Sequence, residues 1–489
     1  MTSRVPGDAL RPSPGQAVPA TWVLLLLAYL SLVAGLQAAV SPTLELDQAE
    51  QLILAQKLAW GYTNQPPLYT WLVWGLTALT GSVVFSLWAL KVALLTGFVL
   101  ACDGAARCLG LGTAQRAAAV AGLALVPAVI WEAQRDLTHS LLAASIGAGV
   151  LWSALDSLNR PAWWRDARTG LLAAAALLSK HNALIFLVAL PLTLACSPVT
   201  RARWRWGGLL TVAGVGALAW APHGAWLAAH PESLNRTLQK IHGDAGAAQL
   251  MAEAFQALLG FFTPWWLLAL PMAWQARRLS EAGRFLAHLA GAVVCCLLVF
   301  AVALGVDRFS PRWYFPQLFF LPLWLAAATD PAVRQWGRRL CVVGALLALV
   351  VAVALPGRVW WGGARPTRQN LPYAELAAQL RQQWGGTVPR VVLASHHLPG
   401  ANLKAAWGAD VLVLTPVVPW AAPLPSEVML VARAEDLTEP RFQTWLAART
   451  RLTPDAIRWS GEVAAPPYHR PQGAPVTLRW ARVVAEPGK

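Results

Sequence analysis

The sequence predicts a polytopic α-helical membrane protein with a small C-terminal exported α/β domain. Three observations carry that expectation. Hydrophobic residues make up 56% of the 489-residue chain and charged residues only 13%, about half the usual charged share of a soluble domain. Apolar stretches near the roughly 20 residues needed to cross a bilayer recur about eleven times. The basic residues between them fall in alternate loops, the positive-inside pattern of cytoplasmic faces.

The elements follow in order. Residues 1–20 read as a cytoplasmic tail with Arg4 and Arg11. Residues 21–40, TWVLLLLAYLSLVAGLQAAV, form an anchoring span. They exceed the apolar core of a signal peptide, about 7–15 residues. Residues 41–83 make a long first outer loop. In it, SPTLELDQAEQLILAQKLAWGY spaces Leu46, Ala49, Leu52, Ile53 and Gln56 as an amphipathic helix does. Pro66 and Pro67 then open LYTWLVWGLTALTG, too short for a span and suited to an interfacial helix.

Further spans are expected at 84–103, 117–134, 139–157, 168–179, 182–197, 206–222, 254–275, 285–305, 314–328 and 340–356. The stretches 168–179 and 182–197 are short and suit a tilted pair or a hairpin. Residues 223–253 form a second outer loop. The transmembrane domain thus covers 21–356, and 357–489 form the periplasmic α/β domain. There PYAELAAQLRQQW and EPRFQTWLAART are helix-like, and VVLAS, DVLVL, EVMLVA and VTLRWARVV are strand-like. An odd span count places the N-terminus inside and this domain outside a bacterial inner membrane.

A net charge of +15 would suggest nucleic acid in a soluble protein. Here the excess lies mostly in cytoplasmic-loop arginines, which meet anionic headgroups. Nucleic acid is therefore not an expected partner; the lipid bilayer is. The 27 tryptophans suit span ends. None of the six cysteines lies in the C-terminal domain, and no CxxC or zinc spacing occurs. No GxGxxG or P-loop occurs either, so a nucleotide donor is not expected.

The outer loops hold charges that topology does not call for, and such charges are candidates for chemistry. Asp47 and Glu50 lie one turn apart on the first outer helix. Either suits a general base, and both equally suit the N-terminal end of a helix dipole. Asp136, beside Arg135 and ahead of His139, is a third catalytic candidate or half of an interfacial ion pair. Lys180-His181 interrupts AAAALLSKHNALIFL. A lysine left in lipid there costs about 3 kcal/mol, so it needs water, a partner or an anionic ligand such as phosphate. Arg312, in DRFSPRWYFP, suits phosphate or a pair with Asp307. Lys91 is the one charge set well inside a span. Tyr62 and Gln65, in GYTNQPPLYTWL, complete the expected binding residues. No metal ligand set is expected.

These segments resemble the polytopic glycosyltransferases of family 39, which include protein O-mannosyltransferases and the aminoarabinose transferase acting on lipid A. The match runs in order over roughly residues 20–356: LELDQAEQLILAQKLAWGY, QPPLYTWL, Lys91, RDLTHSLLA, LLSKHNALIFL and SPRWYFPQLFFLPL. The resemblance implies a GT-C-like membrane fold. It also implies a polyprenyl-phosphate sugar donor and an inverting transfer on the outer face. Asp47 then stands as the base, with Lys180 and Arg312 on the donor phosphate. Two departures matter. Asp47 is followed by Gln48 where the family often has Glu. Asn64 and Gln65 replace an acidic-basic pair, which leaves a divalent cation cofactor and lipid A as acceptor open. A flippase of a lipid-linked glycan, or a protein that only binds one, is the alternative reading.

Overall fold

The computed structural model describes residues 20–62, 65–239, 246–263, 265–267, 279–306, 311–328, 334–361, 367–418, 420, 424–470 and 472–484. The chain divides into two compact units. The first takes in Met1–Ser31, Asn64–Tyr69 and Lys91–Ala352; the second takes in Leu32–Thr63, Thr70–Leu90 and Val353–Lys489.

Helices dominate, in the order α1 (Ala20–Val40), α2 (Leu46–Leu54), α3 (Leu68–Thr80), α4 (Val83–Cys108), α5 (Thr113–Leu123), α6 (Ala133–Arg135), α7 (Thr138–Asn159), α8 (Trp163–Ser179), α9 (Ala183–Cys196), α10 (Trp206–Ala229), α11 (Pro231–Gln239), α12 (Ala247–Phe262), α13 (Glu281–Ala303), α14 (Phe315–Leu318), α15 (Leu321–Ala328) and α16 (Arg334–Trp361). Among the described residues five helices are long and apolar enough to cross a membrane: α1, α4, α7, α13 and α16. The polytopic helical fold expected from the sequence is thus present. Its other expected spans fall on helices that are shorter or broken, except 206–222, which falls on the 24-residue α10, long enough but less apolar. The stretch 117–134 becomes α5 and a π-helical turn running into α6, bent by 67°. Pro127 precedes that turn and has no N–H to continue the α5 ladder. The stretch 314–328 becomes α14 and α15, with Pro316 and Pro322 at their starts.

The arginine loops of the first unit meet at one end. Arg116 clasps Asp103 with two hydrogen bonds of 2.7 Å. Asn159 donates to the Cys108 carbonyl and accepts from Arg203, both at 2.8 Å. Arg160, Arg165 and Arg168 surround Asp156, and Arg205 reaches Asp166 at 3.0 Å. Short helix ends thereby hold their arginines by ion pairs, so the positive face is a network as well as a topological bias.

The second unit has a five-stranded sheet at its centre. Its strands are β1 (Val391–Ala394), β2 (Leu412–Leu414), β3 (Glu427–Ala432), β4 (Gly461–Ala465) and β5 (Val476–Val484), in the order β2-β1-β3-β5-β4. β1 runs parallel to both its neighbours, pairing Val392 with Val413 and with Met429. β5 is antiparallel to β3 and β4. Every residue of β1 is buried, as parallel strands covered on both faces are. Helices α17 (Tyr373–Gln383), α18 (His397–Trp407) and α19 (Pro440–Thr450) cover the sheet.

The helix α2 joins this core. Leu52, Ile53 and Leu54 are buried in one cluster with Leu376, Leu393, Leu403 and Leu430. The Leu44 amide donates to Asn402 at 2.8 Å. Gln56 acts as a surrogate strand on the β2 edge: it donates to the Val413 carbonyl at 2.8 Å and accepts from the Val413 amide at 2.9 Å. The apolar stripe seen in the sequence is thus satisfied by protein.

Candidate active site

Of the predicted charges of the first unit, Lys91 and Lys180 are brought to the segment of Asp136, opposite the arginine end, whereas no contact joins Arg312 to them among the described residues. Helix α8 stops at Ser179 because Lys180 takes an extended conformation, and α9 restarts at Ala183. A lysine at such a break keeps a polar environment that a continuous span would deny it. Its ammonium donates to Ser140 Oγ at 2.7 Å, near the start of α7. His139, next to Ser140, holds the Ser179 carbonyl through Nδ1 at 3.2 Å. RDLTHS and LLSKHN are therefore one structural element.

Asp136 sits at the junction ahead of α7 and is 1% exposed. Its neighbour Leu137 has φ 60°, a left-handed conformation that costs a β-carbon residue about 1–3 kcal/mol. That kink turns the chain sharply between α6 and α7. The ammonium of Lys91 donates to the carbonyls of Gln134 at 3.2 Å and Arg135 at 2.7 Å, directly before Asp136. Arg135 itself pairs with Glu132 at 2.8 Å. Two lysines, 91 and 180, are thus tied to the 134–140 segment that carries Asp136.

Three further segments reach this place. Tyr69 of QPPLY packs its ring 5.4 Å from that of His139, tilted by 46°, and Gln65 nearby in the chain is half-buried. His181 meets the buried His223 of α10, Nε2 to Nε2 at 3.3 Å. Gln317 of α14, fully buried, donates to the Asn182 carbonyl at 2.8 Å. It ties SPRWYFPQLF to the Lys180 turn. Arg312 is exposed on the 3-10 turn Pro311–Trp313 before α14. Asp307, its expected partner, and Asn64 lie outside the described residues.

In the second unit, Asp47 is half-buried in the first turn of α2 and Glu50 is half-buried one turn on. A carboxylate in a first turn is stabilised by the helix dipole. Glu45, which caps α2, is 2% exposed and bound by Arg358, with Arg368 at 3.9 Å. Arg358 also donates to Gln369 at 2.9 Å. Tyr62 is buried, its hydroxyl on the Lys57 carbonyl at 3.0 Å and its ring 6.3 Å from Trp420. Burial pushes its phenol up to about 12.

Reading by residue type overlooked Ser140, His223, Gln317, Glu45 and Arg358. A buried glutamine in an apolar run, as in FPQLFF, was the available signal, since such a group must find a hydrogen bond. Nothing local marks Glu45, whose partner Arg358 is 313 residues away. Among the described residues no group of three or more His, Cys, Asp and Glu side chains is gathered as a metal ion requires.

No family model matches the chain. Over 502 aligned positions it is 30% identical to the lipopolysaccharide core galacturonosyltransferase RgtA of Rhizobium johnstonii, covering 95% of this chain and 97% of that protein. It is 32% identical over 413 residues to the lipopolysaccharide core galacturonosyltransferase RgtB of the same organism, covering 78% and 81%. Among solved structures it is similar to ArnT from Cupriavidus metallidurans bound to undecaprenyl phosphate, with a TM-score of 0.61 at 14% identity, covering 94% of this chain and 98% of that one. That likeness shows the fold, and it bears out the GT-C-like architecture.

Proposed function

The chain belongs to the family of the lipopolysaccharide core galacturonosyltransferases, and from that premise we propose that it moves galacturonic acid, or a close acidic sugar, from a polyprenyl phosphate to a cell-envelope glycan. Membership makes it a multi-pass membrane glycosyltransferase, and the flippase reading is set aside. We place the transfer on the periplasmic face of the inner membrane, where a polyprenyl carrier can present its sugar without a nucleotide.

One observation supports this reading above the others. The segments carrying Asp136, Lys180 and Gln317 are joined by direct hydrogen bonds at one end of the first unit. Two lysine ammonium groups in one place suit a phosphate that gains charge as it departs. In the proposed reaction Lys180 and Arg312 take the donor phosphate. Asp47 accepts the proton of the acceptor hydroxyl as that oxygen bonds the anomeric carbon. The bond from that carbon to the phosphate oxygen breaks, the configuration inverts, and polyprenyl phosphate leaves as an anion.

The test uses the full chain in lipid nanodiscs with labelled polyprenyl-phosphate galacturonate and a lipopolysaccharide core acceptor. Asp47→Asn should lower transfer by roughly 10²–10⁴-fold, the usual share of a general base, with donor affinity retained. Lys180→Ala should instead weaken donor binding. Transfer at the wild-type rate in both variants would overturn the assignment.

A further inference from the structure

The sheet of the second unit reverses its winding at β1. From β1 the chain crosses through α18 to β2 on one side, and β3 then lies on the other side of β1. In open α/β sheets the carboxyl ends of the strands at such a switch point form the crevice where ligands bind. The residues at that point are polar on both strands. Ser395, His396 and His397 follow β1; Arg433 and Asp436 follow β3.

They form a tight network. Ser395 Oγ donates to Asp436 at 2.5 Å. Arg433 grips both oxygens of the same carboxylate at 3.0 and 2.6 Å. His396 accepts from the Leu398 amide through Nδ1 at 3.1 Å, so its proton rests on Nε2, which is left to donate. The two imidazole rings lie 4.0 Å apart. Burial and then the guanidinium groups of Arg433, Arg441 and Arg368 hold His396 down to about 4. Burial, His396 and the same guanidinium groups hold His397 down to about 2. Both rings are therefore neutral donors at physiological pH.

A second observation points to a ligand. Tyr373, the first residue of α17, is 1% exposed, and its hydroxyl has no hydrogen-bond partner among the described residues. It lies in the field of Arg433, Asp436 and Glu435. Thr415, directly after β2, is fully buried with its hydroxyl likewise unpartnered. A buried hydroxyl left without a partner costs about 1–3 kcal/mol, and this fold keeps two of them at the carboxyl ends of its parallel strands.

We propose that this crevice binds a saccharide carrying an oxyanion, with Tyr373, His396 and His397 donating to it and Asp436 accepting from its hydroxyls. Neutral imidazoles and hydroxyls suit the polar rim of a sugar ring. Four guanidinium groups, of Arg358, Arg368, Arg433 and Arg441, against the carboxylates of Glu45, Glu435 and Asp436 give the place a positive sign, which selects a carboxylate or a phosphate on that sugar. Resting on the transferase reading above, the ligand is the acceptor glycan.

The experiment titrates the full chain in nanodiscs with digalacturonate, galactose 6-phosphate and neutral galactobiose, read by saturation-transfer NMR. The two anionic probes distinguish a carboxylate from a phosphate as the recognised group. At least one should bind more tightly than galactobiose. Tyr373→Phe and His397→Gln should each weaken it roughly fivefold or more, the worth of one hydrogen bond. Tyr373→Phe should leave the melting temperature unchanged or raised, because it deletes an unsatisfied group; a purely structural hydroxyl would lower it. Binding of neither anion, equal binding of galactobiose, or wild-type affinity in both variants would overturn the proposal. Saccharide binding is read without the lipid donor. Failure of transfer with the expected binding pattern would therefore count against the catalytic reading alone.

Discussion

At the scale of single residues, the informative side chains are polar groups placed where burial penalises them. His396 and His397 show this most directly. In the unfolded chain each titrates near 6.5, whereas in the fold they are held to about 4 and about 2. Between those values and 6.5 the unfolded chain binds more protons, so stability is lost as pH falls through that window. The charged and titratable groups facing them are Arg368, Arg433, Asp436 and Arg441. Against the desolvation that would raise it, hydrogen bonds from Arg433 and Ser395 keep Asp436 below the usual carboxylate range, which adds a loss of the same sign at lower pH. Unfolding followed by tryptophan fluorescence should give a melting temperature that falls from pH 7 to pH 5. The double variant His396→Asn, His397→Asn should flatten that slope; an unchanged slope would refute the assignment. Much of the candidate set was legible because charge in an apolar run is conspicuous. Lys180 stood out in AAAALLSKHNALIFL and does sit at a helix break. Ser140 and Gln317 did not stand out, because a neutral polar group in a membrane helix is common and its importance depends on which partner it meets.

At the scale of elements, helix ends and crossings decide the geometry. The apolar run 168–179 understates α8, which begins at Trp163. The part ahead of that run carries Arg165 and Asp166, which a hydropathy reading discards, and Arg168 follows at its start. The structure retains them through Asp156 and Arg205. Further along, α8 crosses α10 with Gly170 at the crossing. A β-carbon there would lie 2.6 Å from the Val212 carbonyl oxygen and 3.1 Å from Val215 Cβ. Backbone cannot yield as a side chain can, and small residues are what allow membrane helices to approach so closely. Gly170→Ala should therefore destabilise the first unit by about 1–3 kcal/mol, the usual range for overpacking. A lower melting temperature of the purified protein would show it, whereas Gly207→Ala, at a position with open space around its β-carbon, should leave melting unchanged. Equal melting of wild type and Gly170→Ala would mean that the helices do not cross there.

At the scale of the whole molecule, the arginine distribution implies an orientation. Alkaline phosphatase fused after Val484 should be active in cells, and fused after Arg203 inactive; the reverse would invert the topology. The sequence by itself determined the class of molecule, the order of its apolar segments, the grouping of its arginine loops and the segments that carry charge against topology. Hydropathy and charge are properties of each residue with its near neighbours, so they survive in a one-dimensional reading. Only the tertiary structure decided that RDLTHS, LLSKHN and SPRWYFPQLF share one place. It alone decided that α2 belongs with the C-terminal sheet through Gln56 and Val413, 357 residues apart. It also set the strand order that brings Ser395 and Asp436 together. Those outcomes depend on which distant groups can satisfy one another once water is excluded, a property of pairs across the chain that no local pattern encodes.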